Sequence, residues 1–196
     1  MMGKRILIID GHPDPRAGRY VHALAQAYRD GAALAGHELS DIVVSELDFP
    51  ILRTNDDFRR GTAPESIRRC QTLIARADHL VILFPLWLGS MPALLKGFFE
   101  QVLRPGFAFD EKVRNGVPRK LLSGKSARIV VTMGMPAYFY RWFYRAHSLK
   151  SLERNILAFC GIGPVKTTIA GMVEGMSQAK RSALLARMRV LGGAAR

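Results

Sequence analysis

Three short stretches of this chain carry residue types that could do chemistry, and each follows an apolar run. The first is "GHPDPRAGRY", Gly11 to Tyr20. Pro13 and Pro15 cannot donate a hydrogen bond. The donors that remain are the amides of Arg16, Ala17, Gly18 and Arg19 and the side chains of His12, Arg16 and Arg19. A loop that leads from a strand into a helix gathers free N–H groups at the positive end of the helix dipole, so these residues can seat a phosphate. The loop matches neither a Walker A sequence nor the dinucleotide glycine fingerprint, which argues against ATP and against a Rossmann-type nicotinamide site. A plainer reading is a stiff capping turn with solvated arginines.

The second stretch, "PLWLGSMP", runs from Pro85 to Pro92. Pro85, Gly89 and Pro92 fix the backbone shape, Trp87 supplies an aromatic face, and the main-chain groups of Leu86, Trp87, Leu88 and Gly89 can meet the polar edge of a planar heteroaromatic ring. Trp87 as a core or interface aromatic is the alternative. The third stretch is "TMGMPAYFYRWFYRAH", Thr132 to His147. Thr132, Met133, Gly134 and Met135 form its first turn, where Gly134 permits close backbone approach. Tyr138, Tyr140, Trp142 and Tyr144 add aromatic surface, and Tyr138 and His147 are candidate proton donors. A surface role for His147 is equally open from the residues alone.

These stretches must be brought together by the elements that carry them. "RILIID" (Arg5 to Asp10) is a continuous apolar run, fit for a strand buried on both faces. A helix over Arg19 to Leu34 follows, stopped near Gly36. Further strands are expected within Glu38 to Ser45 and at His79 to Phe84, Ala127 to Thr132 and Gly163 to Ala170. Further helices are expected from Pro64 to about Arg76, over Pro92 to Val102, Ala137 to Phe159 and Ser177 to Leu191, the last with Ser177 as N-cap. Asp48 to Glu65 and Arg104 to Gly124 read as loops. This alternation predicts an α/β fold: a flavodoxin-like three-layer sandwich, one domain over residues 1–196, with a five-stranded parallel sheet in the order 2-1-3-4-5. In that order the loops after strands one, three and four share one crevice at the carboxyl ends. A phosphate seat, a flat aromatic slot and a glycine turn on one crevice describe a flavin mononucleotide site.

Composition sets outer bounds. With 48% hydrophobic and 23% charged residues among 196, the chain is globular in character. The longest apolar stretch, Leu80 to Leu95, is cut by Pro85 and Pro92, so no membrane span is expected, and "MMGKRILIIDGHP" reads as a first strand rather than a signal peptide. A cytoplasmic location follows as an expectation. Cys70 and Cys160 have no metal-binding or redox spacing and read as core residues. The net charge is +13, from 29 Lys and Arg against 16 Asp and Glu. The cations are scattered in pairs on helical faces, so nucleic acid is an unlikely partner, while phosphorylated ligands gain from the field.

The stretches "ILIIDGHPDP", "ADHLVILFPLWLGSMPALLKGFFEQVLRPGFAF", "VVTMGMP" and "NILAFCGI" resemble the flavodoxin-like NAD(P)H:quinone oxidoreductases, the DT-diaphorase-like family. The resemblance implies a homodimer with flavin at the subunit interface, FMN or FAD, reduced by NAD(P)H and reoxidised by a quinone or similar small acceptor. By position, it puts His12 at the phosphate, Pro85, Leu86, Trp87, Leu88 and Gly89 on one ring-binding turn, and Thr132, Met133 and Gly134 on the other. Phe109 falls where the family has an aromatic residue facing the partner's site. The chain departs from the family in its phosphate loop, where Ala17 and Arg19 stand in place of a serine and an asparagine. No hydroxyl occurs between Gly11 and Arg19. Met135 replaces a common second glycine. The lack of the longer C-terminal extension of the animal enzymes favours FMN over FAD. An electron carrier or accessory subunit of the same fold is the alternative function.

Overall fold

The computed structural model describes residues 3–114 and 117–196. Strand β1 (Arg5–Asp10) leads to helix α1 (Tyr20–Leu34), β2 (Glu38–Val43), a short α2 (Asn55–Arg59) and α3 (Glu65–Arg76). There follow β3 (His79–Pro85), α4 (Ala93–Val102), β4 (Phe109–Arg114) and β5 (Val117–Lys120). The chain continues through β6 (Ser126–Thr132), α5 (Ala137–Trp142), α6 (His147–Lys150), a π-helical turn (Ser151–Leu157), α7 (Ala158–Cys160), β7 (Val165–Ala170) and α8 (Gln178–Gly193). Five strands form one parallel sheet in the order β2-β1-β3-β6-β7. Counting those strands alone, this is the flavodoxin-like 2-1-3-4-5 sandwich that the sequence predicts.

The apolar runs of the central strands divide by the two-residue period of a strand. Leu7, Ile9, Leu80, Ile82, Phe84, Ile129 and Val131 pack on one face against side chains of α3, α4 and the segment from α5 to α7. Ile6, Ile8, Val81, Leu83 and Val130 pack on the other face with Leu24 and Tyr28 of α1 and Met188 of α8. Each such side chain, fully buried, is worth about 1.5–3 kcal/mol. This double burial is why the strands carry continuous apolar runs instead of alternating ones. Helices α1 and α8 approach so closely that a Cβ on Gly31 would lie 1.9 Å from the Arg189 carbonyl oxygen, and one on Gly192 would lie 2.0 Å from that of Tyr28.

The structure departs from the sequence reading in three places. Within Arg104 to Gly124, β4 and β5 pair as an antiparallel hairpin. The intervening Asn115 and Gly116 lie outside the described residues, but this dipeptide is the composition hairpins favour, and that signal could have found them. The single helix expected over Ala137 to Phe159 is broken: Arg145 and Ala146 take positive φ values (50° and 49°) between α5 and α6, and the chain after α6 widens to π geometry over Ser151–Leu157. The loop from Asp48 holds α2, whose N-cap Thr54 accepts a hydrogen bond from the Asp57 amide at 3.0 Å. It is tied down by the buried Arg104, which donates to the carbonyls of Asp57 and Gly61 at 2.6 and 2.7 Å.

Candidate functional site

The carboxyl ends of β1, β3, β6 and β7 open onto a crevice of about 520 Å³, bounded among others by His12, Arg19, Trp87, Thr132, Glu174 and Arg181. The first loop is built on Asp10, the last residue of β1. Its Oδ1 accepts the His12 amide at 3.1 Å, and His12 Nδ1 in turn accepts the Asp14 amide at 3.0 Å. With Nδ1 accepting, the neutral ring carries its proton on Nε2. Burial, and then the neighbouring His22, push His12 below the ordinary histidine range. His12 is therefore a neutral N–H donor in the wall of the crevice.

Asp14 organises the rest of this loop. Its carboxylate accepts the Arg16 amide at 3.1 Å, the Arg16 guanidinium at 2.6–2.9 Å and Arg19 Nε at 2.8 Å. The Arg16 bonds hold the Asp14 carboxyl far below the usual range. The two arginines expected to grip phosphate directly are thus already engaged by Asp14, as is the Arg16 amide, and the Arg19 amide turns back to the Arg16 carbonyl at 3.3 Å. The amides of Ala17 and Gly18 have no partner among the described residues. They stand just before the first turn of α1, with open space beside Gly18.

In the second loop the Leu86 amide donates to the Thr132 carbonyl at 2.8 Å, and Trp87 and Ser90 exchange both backbone bonds at 2.8 and 2.9 Å. Leu88 (φ 47°) and Gly89 (φ 78°) span the tip, the two positive φ values of a mirror-image turn. The amides of Leu86 and Trp87 are therefore occupied, while those of Leu88 and Gly89 have no partner among the described residues. Trp87 is half exposed and meets the His12 ring edge-on at 6.2 Å.

In the third loop Thr132 and Met133 are buried. The Met133 amide donates to Ala170, and the carbonyls of Met133 and Met135 accept from Val173 and Met172 at 3.1 Å. The amides of Gly134 and Met135 keep no partner among the described residues. Tyr138 and His147 are exposed and do not line the crevice. The Ser148 hydroxyl, next to His147, lies 3.3 Å from that of Ser90 and ties α6 to the Trp87 turn. Phe109 lies elsewhere, on an apolar depression of about 190 Å³, where its ring meets Phe159 at 4.9 Å.

Sequence reasoning missed a fourth wall. The loop after β7 brings in Val173 and Glu174, and α8 contributes Arg181. Arg181 donates to the carbonyls of Met176 and Val173 and lies 5.0 Å over the Tyr20 ring. No residue pattern in that loop announces this role. His22 was also missed. It lies beneath the first loop, against Asp10 and the Asp14 carbonyl. Among the described residues there is no cluster of metal-ligating side chains, and no helix is long and apolar enough to cross a membrane.

Comparison with known proteins agrees with this arrangement. An uncharacterized NAD(P)H oxidoreductase of Haemophilus influenzae is 29% identical over 71% of this chain and 70% of its own length. The human ribosyldihydronicotinamide dehydrogenase [quinone] is 27% identical over 95% of this chain and 89% of its own. The crystal structure of Smu.1420 from Streptococcus mutans superposes with a TM-score of 0.80 at 27% identity, covering 97% of this chain and 99% of that one. The Flavodoxin_2 family, described as a flavodoxin-like fold, matches residues 4–191, and the chain belongs to it.

Proposed function

We propose that the crevice binds FMN and that the protein is an NAD(P)H-dependent oxidoreductase acting on a quinone or similar small acceptor. The observation that carries this reading is that the loops after β1, β3 and β6 meet at one crevice, lined among others by His12, Gly18, Trp87 and Thr132, and that these same loops hold the amides of Ala17, Gly18, Leu88, Gly89, Gly134 and Met135 without partners among the described residues. The residues fit the group. The Ala17 and Gly18 amides, His12 and the α1 N-terminus suit a phosphate. The Leu88–Gly89 and Gly134–Met135 turns suit the polar rim of a flat ring, with Trp87 at its edge. The bound flavin would supply the redox chemistry, taking hydride from the nicotinamide and passing two electrons to the acceptor.

The chain's own share is placement and charge. Amides of the third loop would stabilise negative charge on the reduced ring's pyrimidine side, and the turn through Leu88 would hold the ring against it. Tyr138 and His147 lie exposed outside the crevice lining, so they would protonate an acceptor oxygen only where the acceptor reaches beyond the crevice of the single chain. The relatives from Haemophilus and human, named for NAD(P)H and for quinone, support the donor and the acceptor class. A second copy of the chain covering the apolar depression at Phe109, and a cytoplasmic setting for the two buried free cysteines, complete the proposal.

Anaerobic stopped-flow on FMN-loaded protein tests it. The flavin band at about 450 nm should bleach with NADPH or NADH and return with a soluble quinone. Bleaching only by an added protein reductase would make this a carrier. Protein that stays colourless after incubation with FMN removes the reading.

A further inference from the structure

The first loop lacks the hydroxyl residues its family uses, yet it holds a defined turn, and the side chain beneath it explains how. His22, on the first turns of α1, puts Nδ1 2.5 Å from Asp10 Oδ2 and Nε2 3.0 Å from the Asp14 carbonyl oxygen. A carbonyl accepts only, and so does an ionised carboxylate. Both ring nitrogens therefore donate, which makes the ring an imidazolium. We propose that this cation is a positioning residue for the flavin phosphate: it pins the Asp14 carbonyl to Asp10, so fixes the turn that presents the Ala17 and Gly18 amides, and makes FMN affinity depend on its proton.

The surroundings isolate this titration. Asp10 comes from β1, while His12, Asp14 and, through Asp14, Arg16 and Arg19 come from the loop. His12 packs at 5.3 Å between ring centroids. Arg29 of α1, Asp41 of β2 and Glu46 just after β2 line the same 270 Å³ recess as His22 and Asp10. Burial alone would lower the His22 proton affinity, but the Asp10 carboxylate and the Asp14 carbonyl outweigh it and hold it above the ordinary value. His12 moves the other way and is neutral in the same range. A phosphate monoester, whose second pKa lies near about 6, is largely dianionic from about pH 7 upward. His22 is thus the histidine of this cluster that keeps its proton to a pH above the ordinary histidine value, while His12 loses its proton below it. A raised proton affinity in the folded loop stabilises the phosphate-ready turn at lower pH, and that contribution is lost as pH rises through the His22 value.

This inference rests on the flavin reading, and the test separates the two. FMN and riboflavin dissociation constants are measured by flavin fluorescence on apo-protein between about pH 6.5 and about pH 9. FMN affinity should fall about tenfold across the window, the worth of one charge-assisted contact, while riboflavin affinity stays level. In His22→Gln the FMN profile should be flat and weak throughout. Asp10→Asn, which keeps the oxygen that accepts the His12 amide, should move the midpoint to lower pH, and it carries the test if the first variant does not fold. Flat FMN affinity in the wild type, or an unchanged profile in both variants, overturns the role of His22 and leaves the flavin site standing. Protein that takes up neither flavin at any pH overturns both.

Discussion

Leu88 occupies a conformation that a branched side chain seldom takes, at φ 47°, and its side chain is fully exposed. It gains no burial to offset the left-handed backbone, which costs a non-glycine residue about 1–2 kcal/mol. Leu88→Gly should therefore stabilise the protein by about 0.5–1 kcal/mol after allowing for the extra freedom of glycine in the unfolded chain. An unchanged or lower urea midpoint at constant slope would show that the turn carries no such strain. On the proposed function, this conformation serves to present the Leu88 and Gly89 amides, which have no partner among the described residues. Residue identity alone could place this turn, because Pro85, Gly89 and Pro92 punctuate it. It could not show which amides the turn spends. The Leu86 amide is taken by the Thr132 carbonyl at the end of β6 and the Trp87 amide by Ser90 across the turn, while those of Leu88 and Gly89 have no partner among the described residues. The same limit applies to Arg16 and Arg19, whose cations look available until Asp14 is seen between them.

At the level of elements, the strands and most helix ends were legible because each carries a local physical signal. Continuous apolar runs mark doubly covered strands, Gly36 at φ 77° ends α1, and Ser177 caps α8 by accepting the Lys180 amide at 3.4 Å. The break between α5 and α6 was not legible, because Arg145 and Ala146 are residues that usually continue a helix. The contact of α1 with α8 was equally hidden, since it depends on two glycines far apart in sequence. Gly31 and Gly192 each face a backbone carbonyl with no room for a methyl group. Gly31→Ala must therefore push α8, with its buried Met188, away from the sheet and from Tyr28. The expected loss is about 2–3 kcal/mol, or about 4–12 °C in melting temperature for a chain of this size. Gly175→Ala, with nothing within 4 Å and an ordinary φ, should stay within about 0.5 kcal/mol of the parent. Equal melting of the two variants would refute the packing argument.

For the molecule as a whole, the excess of 29 basic over 16 acidic side chains surrounds a crevice whose own charges largely cancel. Asp14 answers Arg16 and Arg19, and Arg181 is held by backbone carbonyls and the Tyr20 ring. The +13 field therefore acts on a charged reactant chiefly before contact, which places its effect on the association rate and not on a specific bond. Salt screens charges separated by more than the Debye length, about 30 Å at 0.01 M and about 8 Å at 0.15 M. On the proposed function, the second-order rate of flavin reduction by NADPH should fall about tenfold between those salt concentrations, within the range seen for steered association. NADH lacks the extra phosphate, so its rate should fall less. The first-order limit at saturating donor should be unchanged for both, because hydride transfer follows binding. A salt response equal for the two donors, or one that appears in the saturated rate, would assign the charge to something other than capture of phosphorylated ligands.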